Sequence, residues 1–262
     1  MPTYLADIVA SHRARAASDS RPLGELVERA AATPPPRDFF GALSGEGLSC
    51  IAEIKRRSPS KGDLDPGLHA DLVAKEYLAG GAACLSVLTD VDFFGGSPED
   101  LASARQASGL PVLRKDFTVQ EADVADARLM GADAVLLIAA ALDDAELRRC
   151  AALAGDLGLA ALVEVHDENE LDRALRAGSR LVGVNQRDLR TFHVDHERAC
   201  AMAARIPTGV TAVAESGIRD AGDARRLAEA GYDAILVGET LVRAGDREAR
   251  LRELVGHPVG AR

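Results

Sequence analysis

Two lysines, three glutamates, an asparagine and a serine share one placement in this sequence: each falls where a short apolar, β-like run stops. Ile-Ala-Glu-Ile-Lys at 51–55 ends in Glu53 and Lys55, Val-Leu-Arg-Lys at 112–115 in Lys115, and Ala-Leu-Val-Glu at 161–164 in Glu164. Leu-Val-Gly-Val-Asn at 181–185 ends in Asn185, and Thr-Ala-Val-Ala-Glu-Ser at 211–216 in Glu215 and Ser216. In a parallel β/α protein, strand ends that point the same way share one rim, and ligands bind at that rim. Ionisable groups gathered there are suited to moving protons. A desolvated lysine loses affinity for its proton, so Lys115, set beside Phe117, is expected to have a lowered pKa and to pass a proton at neutral pH. Glu53 and Lys55 lie two apart, on one strand face, and can pair. Spacing alone fits an ion pair inside a barrel equally well. Glu164 follows a run of Ala, Leu and Val, and a buried carboxylate needs a cation, which Lys115 or Lys55 could supply from across the fold.

A second group suits a phosphate. Glu215-Ser216-Gly217-Ile218 and Val237-Gly238-Glu239-Thr240 follow the last two β-like runs. Glycine at both turns lets backbone N–H groups approach an anion, the usual arrangement after strands 7 and 8 of a barrel. Gly217, Gly238 and Glu239 are therefore candidate phosphate contacts, with Ser58 and Arg187 as further donors. Helix capping explains Gly217 and Thr240 as well. The aromatic run Phe93-Phe94 in a Gly-rich loop stands out in a chain with only 3% aromatics. With Phe117, Leu136, Ile138 and Leu189, Phe94 forms a candidate apolar pocket for a flat ring; loop anchoring is the plainer alternative. The six histidines show no metal-ligand spacing, and no metal is expected.

The elements that must position these groups repeat. Eight apolar runs, near 49–54, 83–88, 111–114, 133–138, 159–164, 181–185, 210–214 and 234–238, alternate with helix-length segments that exit through Gly. That count predicts an α/β fold of the (β/α)8 type, a TIM barrel. An open doubly wound sheet would carry a GxGxxG turn after its first strand, and the turn here, Lys-Arg-Arg-Ser-Pro-Ser-Lys-Gly at 55–62, is basic and lacks it. Residues 4–19 and 23–32 read as two helices, so 1–48 form an N-terminal extension packed on a barrel of 49–255. Residues 256–262 read as a frayed tail.

At 262 residues and 47% hydrophobic content the chain suits one large domain. Its net charge of −10 speaks against nucleic acid as a partner. Cys50, Cys84, Cys150 and Cys200 are dispersed, as in a reducing compartment. No run approaches the roughly 20 apolar residues of a membrane span. The expectation is a cytoplasmic monomer without membrane contact.

Ile-Ala-Glu-Ile-Lys-Arg-Arg-Ser-Pro-Ser-Lys-Gly at 51–62 resembles the signature of the indole-3-glycerol-phosphate synthases of tryptophan biosynthesis. The segments at 88–97, 113–117, 162–166, 185–189, 214–218 and 236–241 match in order, and the likeness runs from the N-terminal helices to about residue 245. The first motif is specific; the last is shared by many phosphate-binding barrels. The resemblance implies a small phosphorylated substrate, 1-(2-carboxyphenylamino)-1-deoxyribulose 5-phosphate, closed to indole-3-glycerol phosphate with loss of carbon dioxide and water and without a cofactor. It implies Lys115 as general acid on the ketone oxygen, Lys55 near the substrate carboxylate and as an acid in dehydration, and Glu164 as base. Glu53 and Asn185 would orient these groups, and Glu215 and Ser216 match the remaining polar positions. The chain departs from the family at Gln186, where a second Asn is usual and which is expected to point outward, and at Thr240 in place of Ser. A ketose–aldose isomerase would more naturally present a Cys or Asp pair, and a silent phosphometabolite sensor would have a broken acid/base set.

Overall fold

The computed structural model describes residues 4–58, 61–187 and 194–262. Eight strands, β1 (Ser49–Ile54), β2 (Cys84–Leu88), β3 (Val112–Lys115), β4 (Ala134–Ile138), β5 (Ala160–Val165), β6 (Leu181–Asn185), β7 (Thr211–Glu215) and β8 (Ala234–Val237), close into one barrel in which β1 pairs with β8. All neighbours are parallel. Helices between the strands form the outer layer, the (β/α)8 arrangement expected from the eight runs.

Period-two alternation decides what each strand shows to the axis. Ile51, Leu113, Leu136, Leu162, Val213 and Leu236 fill the interior, together with the small Cys84, Ala134, Ala160 and Ala234. Each large aliphatic side chain moved out of water contributes roughly 1.5–3 kcal/mol. The outward set, including Val87, Val135, Leu137, Val163 and Val182, packs under the helices. Continuing the inward set toward the strand C-termini replaces hydrocarbon by Glu53, Lys115, Glu164, Asn185 and Glu215. The polar layer is thus the top of the same stack.

The N-terminal segment splits its work. Helix α1 (Tyr4–Ala17) buries only Ile8 and lies across the barrel mouth, where Tyr4, Leu5 and Ile8 join the pocket wall. Polar contacts hold it: Arg13 to Glu146 and to the Ala141 carbonyl, each at 2.8 Å, and His12 Nε2 to Asp90 at 3.0 Å. Helix α2 (Leu23–Ala31) buries Leu26 and Ala30 against the barrel's outer helices. Phe39 and Leu43 then plug the opposite end of the barrel.

The tail departs from the frayed reading. Gly256 donates to the Leu48 carbonyl at 2.9 Å, Leu48 donates to that of His257 at 2.7 Å, and Arg262 meets Asp233 at 2.7 Å. The backbone groups of Leu48, just before β1, need partners, and the tail provides them. Among the described residues no helix is long and apolar enough to cross a membrane.

Candidate active site

A pocket of about 630 Å³ opens at the C-terminal end of the barrel, within the usual range for small-molecule sites. Among the described residues every one singled out from the sequence lines it: Glu53, Lys55, Lys115, Glu164, Asn185, Glu215 and Ser216; Ser58, Arg187, Gly217, Gly238 and Glu239; Phe94, Phe117, Leu136 and Ile138. Leu189 lies outside the described residues.

Lys115 stands at the centre. Its ammonium is 2.8 Å from Glu215 Oε2 and 3.0 Å from Glu164 Oε2. Asn185 donates to Glu164 Oε1 at 3.1 Å, and Lys55 pairs with Glu53 on the adjoining wall. The expectation of a lowered Lys115 pKa is overturned. Burial does oppose its charge, but the carboxylates of Glu215, Glu164 and Glu53 together outweigh burial and hold the ammonium well above the ordinary lysine range.

The two carboxylates on Lys115 differ. Burial works against ionised Glu164, yet the Lys115 charge, His166 and the Asn185 amide hold it well below the usual carboxylate range. Glu215 is pushed up to about 7 by burial and by the charges of Glu164 and Glu53, against the pull of Lys115. Its Oε1 is buried without a hydrogen-bond partner. One carboxylate is held toward its charged form while its neighbour is pushed toward its protonated form, a division typical of acid/base sites.

His166 is the clearest residue that sequence reasoning passed over. Its Nε2 is 3.4 Å from Glu164 and its Nδ1 is 3.1 Å from Glu170. Burial disfavours the charge, but hydrogen bonding to Glu164 and Glu170 raises its pKa to about 10, so the ring is cationic at neutral pH. Extending the β5 alternation by two from Glu164 would have found it. His166 stands behind Glu164 and not in the pocket wall; Lys61, His196, Arg219 and Arg243 do line the pocket, and no periodicity marked them.

Other expectations need adjusting. Gly238 faces the Glu53–Lys55 pair, and a Cβ there would collide with Glu53 Oε1; the glycine makes room for the ion pair as well as walling the pocket. The Glu239 carboxylate is turned to Arg243 at 3.6 Å and Lys61 at 3.9 Å, so only its backbone is suited to an anion. The Thr240 hydroxyl donates to the Ile218 carbonyl and ties the two final loops together. Of the two phenylalanines, Phe94 meets Phe117 in the pocket at 6.0 Å, whereas Phe93 anchors α1 through Tyr4 at 6.1 Å. Gln186 leaves β6 away from Asn185 but is buried, not solvent-facing. His12, Asp90 and Asp116 bring ligand atoms within 4.8 Å of one another. Arg15 at 3.6 Å from Asp90 and Arg114 at 2.9 Å from Asp116 already balance those carboxylates, so the cluster reads as a fastening for α1.

The family model for indole-3-glycerol phosphate synthase matches residues 5–254. Indole-3-glycerol phosphate synthase 2 of Streptomyces coelicolor is 53% identical over 232 residues, covering 88% of this chain and 90% of that protein. Indole-3-glycerol phosphate synthase of Rhizorhabdus wittichii is 46% identical over 257 residues, 97% of each chain. Among solved structures, thiamine phosphate pyrophosphorylase from Pyrococcus furiosus superposes with a TM-score of 0.61 at 20% identity over 79% of this chain and 93% of that one, a likeness of fold.

Proposed function

The chain belongs to the indole-3-glycerol phosphate synthase family, and from that membership we propose how its own residues carry the reaction. The enzyme is a carboxy-lyase of tryptophan biosynthesis that converts 1-(2-carboxyphenylamino)-1-deoxyribulose 5-phosphate into indole-3-glycerol phosphate. First, the ring carbon bearing the carboxylate bonds to the ketone carbon, and the ketone oxygen takes a proton from Lys115. The raised proton affinity of Lys115 suits this role, because the donor must be charged beforehand and the nascent alkoxide is a stronger base than an amine. Next the bond to the carboxylate breaks. Its electron pair restores the aromatic ring, carbon dioxide leaves, and Lys55, steered by Glu53, faces the departing group.

In the last step the new hydroxyl leaves as water with a proton from Lys55, while Glu164 takes a proton from the adjacent CH2 carbon and the indole double bond closes. Glu164 starts as a poor base because Lys115 neutralises it. Once Lys115 has given up its proton, the strongest attraction on Glu164 has gone and its proton affinity rises. Two protons are given and one is recovered, so one net proton enters per turnover, which balances the loss of an anionic carboxylate as neutral carbon dioxide. Asn185 orients Glu164, and Glu215 holds Lys115. Phe94, Phe117, Leu136 and Ile138 wall the aromatic ring. The turns at Ser216–Gly217 and Gly238–Glu239, with Ser58 and Arg187, take the phosphate. The same reading has the protein acting as a monomer in the cytoplasm, on a small phosphorylated molecule and not on nucleic acid.

The observation that carries the proposal is the Lys115 ammonium bound to both Glu164 and Glu215 inside the pocket. Purified protein is expected to turn over the substrate without added metal, followed by indole fluorescence. Lys115→Met is expected to lower kcat by roughly 10²–10⁴-fold, the worth of a positioned proton donor, and to leave inhibition by inorganic phosphate in place. Near-normal turnover by that variant would remove Lys115 from the acid's role.

A further inference from the structure

Gln186 follows Asn185 directly, and the two side chains leave β6 on opposite faces. Asn185 enters the pocket; Gln186 is 5% exposed and is not part of the pocket wall. Its Nε2 donates to the Ser216 carbonyl at 3.1 Å, and its Oε1 stands 2.7 Å from His196 Nδ1. A carbonyl only accepts, so the group facing Ser216 is the NH2, the amide oxygen faces His196, and His196 Nδ1 carries the hydrogen of that bond.

Among the described residues the Ser216–Gly217 turn is the least relaxed part of the backbone. Ser216, at φ +70°, is the sole non-glycine residue with positive φ among the described residues, and Gly217 follows at φ +72°. A left-handed serine costs roughly 1–2 kcal/mol and persists only where its surroundings impose it. Gly217 has no substitute, because a Cβ there would also run into Val194. The peptide joining the two residues is trans, so the Gly217 N–H points away from the Ser216 carbonyl. Fixing that carbonyl on Gln186 turns the N–H the other way, and Ser216, Gly217 and Ile218 line the pocket there. Among the described residues the Gly217 N–H has no acceptor.

We propose that Gln186, itself held by His196, is a positioning residue that keeps the Ser216–Gly217 turn in its strained form with the N–H presented to the substrate phosphate. This rests on the phosphate reading of that turn. The test compares wild type with Gln186→Met, which keeps length but cannot hydrogen-bond, and with Gln186→Asn, which keeps a shortened amide should the first variant not fold. Inorganic phosphate serves as a competitive inhibitor. In Gln186→Met its inhibition constant and the substrate KM are each expected to rise about three- to tenfold while kcat stays within about twofold, the scale of one lost hydrogen bond; Gln186→Asn is expected to show the same split at smaller size. A wild type that phosphate does not inhibit competitively would overturn the phosphate reading itself. A normal wild-type inhibition constant that neither variant changes, with only Tm lowered, would overturn the role of Gln186 alone.

Discussion

Three carboxylates surround Lys115, and in the proposed mechanism it is still the proton donor, because what counts is the charge present before reaction and the basicity of the oxygen that receives the proton. The same coupling leaves a mark on stability. Glu215 titrates at about 7 in the fold against 4.5 ordinarily, so the native state binds its proton more tightly. That contribution is complete below 4.5 and is lost as pH rises through 7. His166, raised from 6.5 to about 10, behaves alike: its contribution is complete below 6.5 and is lost as pH rises through 10. Tm measured by calorimetry is therefore expected to fall from pH 5 toward pH 10. Glu215→Gln is expected to flatten the lower part of that decline and His166→Gln the upper part. An unchanged slope in Glu215→Gln would mean that this carboxyl is ionised throughout.

At the scale of elements, strand register brings the charges together, and missing side chains let them fit. Asn185 pairs across with Glu215, and Glu164 with Gly183. A Cβ on Gly183 would strike Glu215 Oε1 and press on Leu162. Gly183→Ala is expected to push Glu215 off Lys115 and to lower kcat by roughly 10²-fold, the cost of an ångström-scale misplacement, while the barrel still unfolds in one cooperative transition. Steady-state kinetics beside a thermal melt would check this; full activity would show that Glu215 can relax without disturbing Lys115. The helix exits were readable in advance: Gly81, Gly131, Gly158, Gly178 and Gly231, each at a predicted exit, all adopt left-handed backbone before the next strand. The Phe93-Phe94 pair was less readable, because a helical turn sends neighbouring side chains to different sides.

For the whole molecule, the chain's two ends serve opposite ends of the barrel. Helix α1 roofs the pocket, and the residues after Val255 seal the base through Leu48, Val210 and Asp233. Deleting 256–262 removes three backbone hydrogen bonds, made by Gly256, His257 and Gly260, and the two contacts of Arg262 with the Val210 carbonyl and Asp233. At roughly 1 kcal/mol each and about 2–4 °C per kcal/mol for a chain of this size, Tm is expected to fall by about 10–20 °C. The kcat at 25 °C is expected to stay the same, because the deletion lies far from the rim. An unaltered Tm would return the tail to the frayed class.

Periodicity and punctuation along the chain determined the eight strands, their order of appearance, and which residues sit at their C-terminal ends, because alternation and helix capping are local effects. Local rules could not say which lysine meets which glutamate. Lys115 and Glu215 are 100 residues apart, up to roughly 330–360 Å of extended chain, and only cyclic closure of the sheet sets them 2.8 Å apart. The sign of the Lys115 pKa shift followed from that meeting: one strand supplies burial, which lowers it, and the carboxylates that reverse the sign come from three others. The partners of His166 and Gln186, the roof formed by α1 and the fastening of the tail were likewise decided by tertiary contacts between segments distant in sequence.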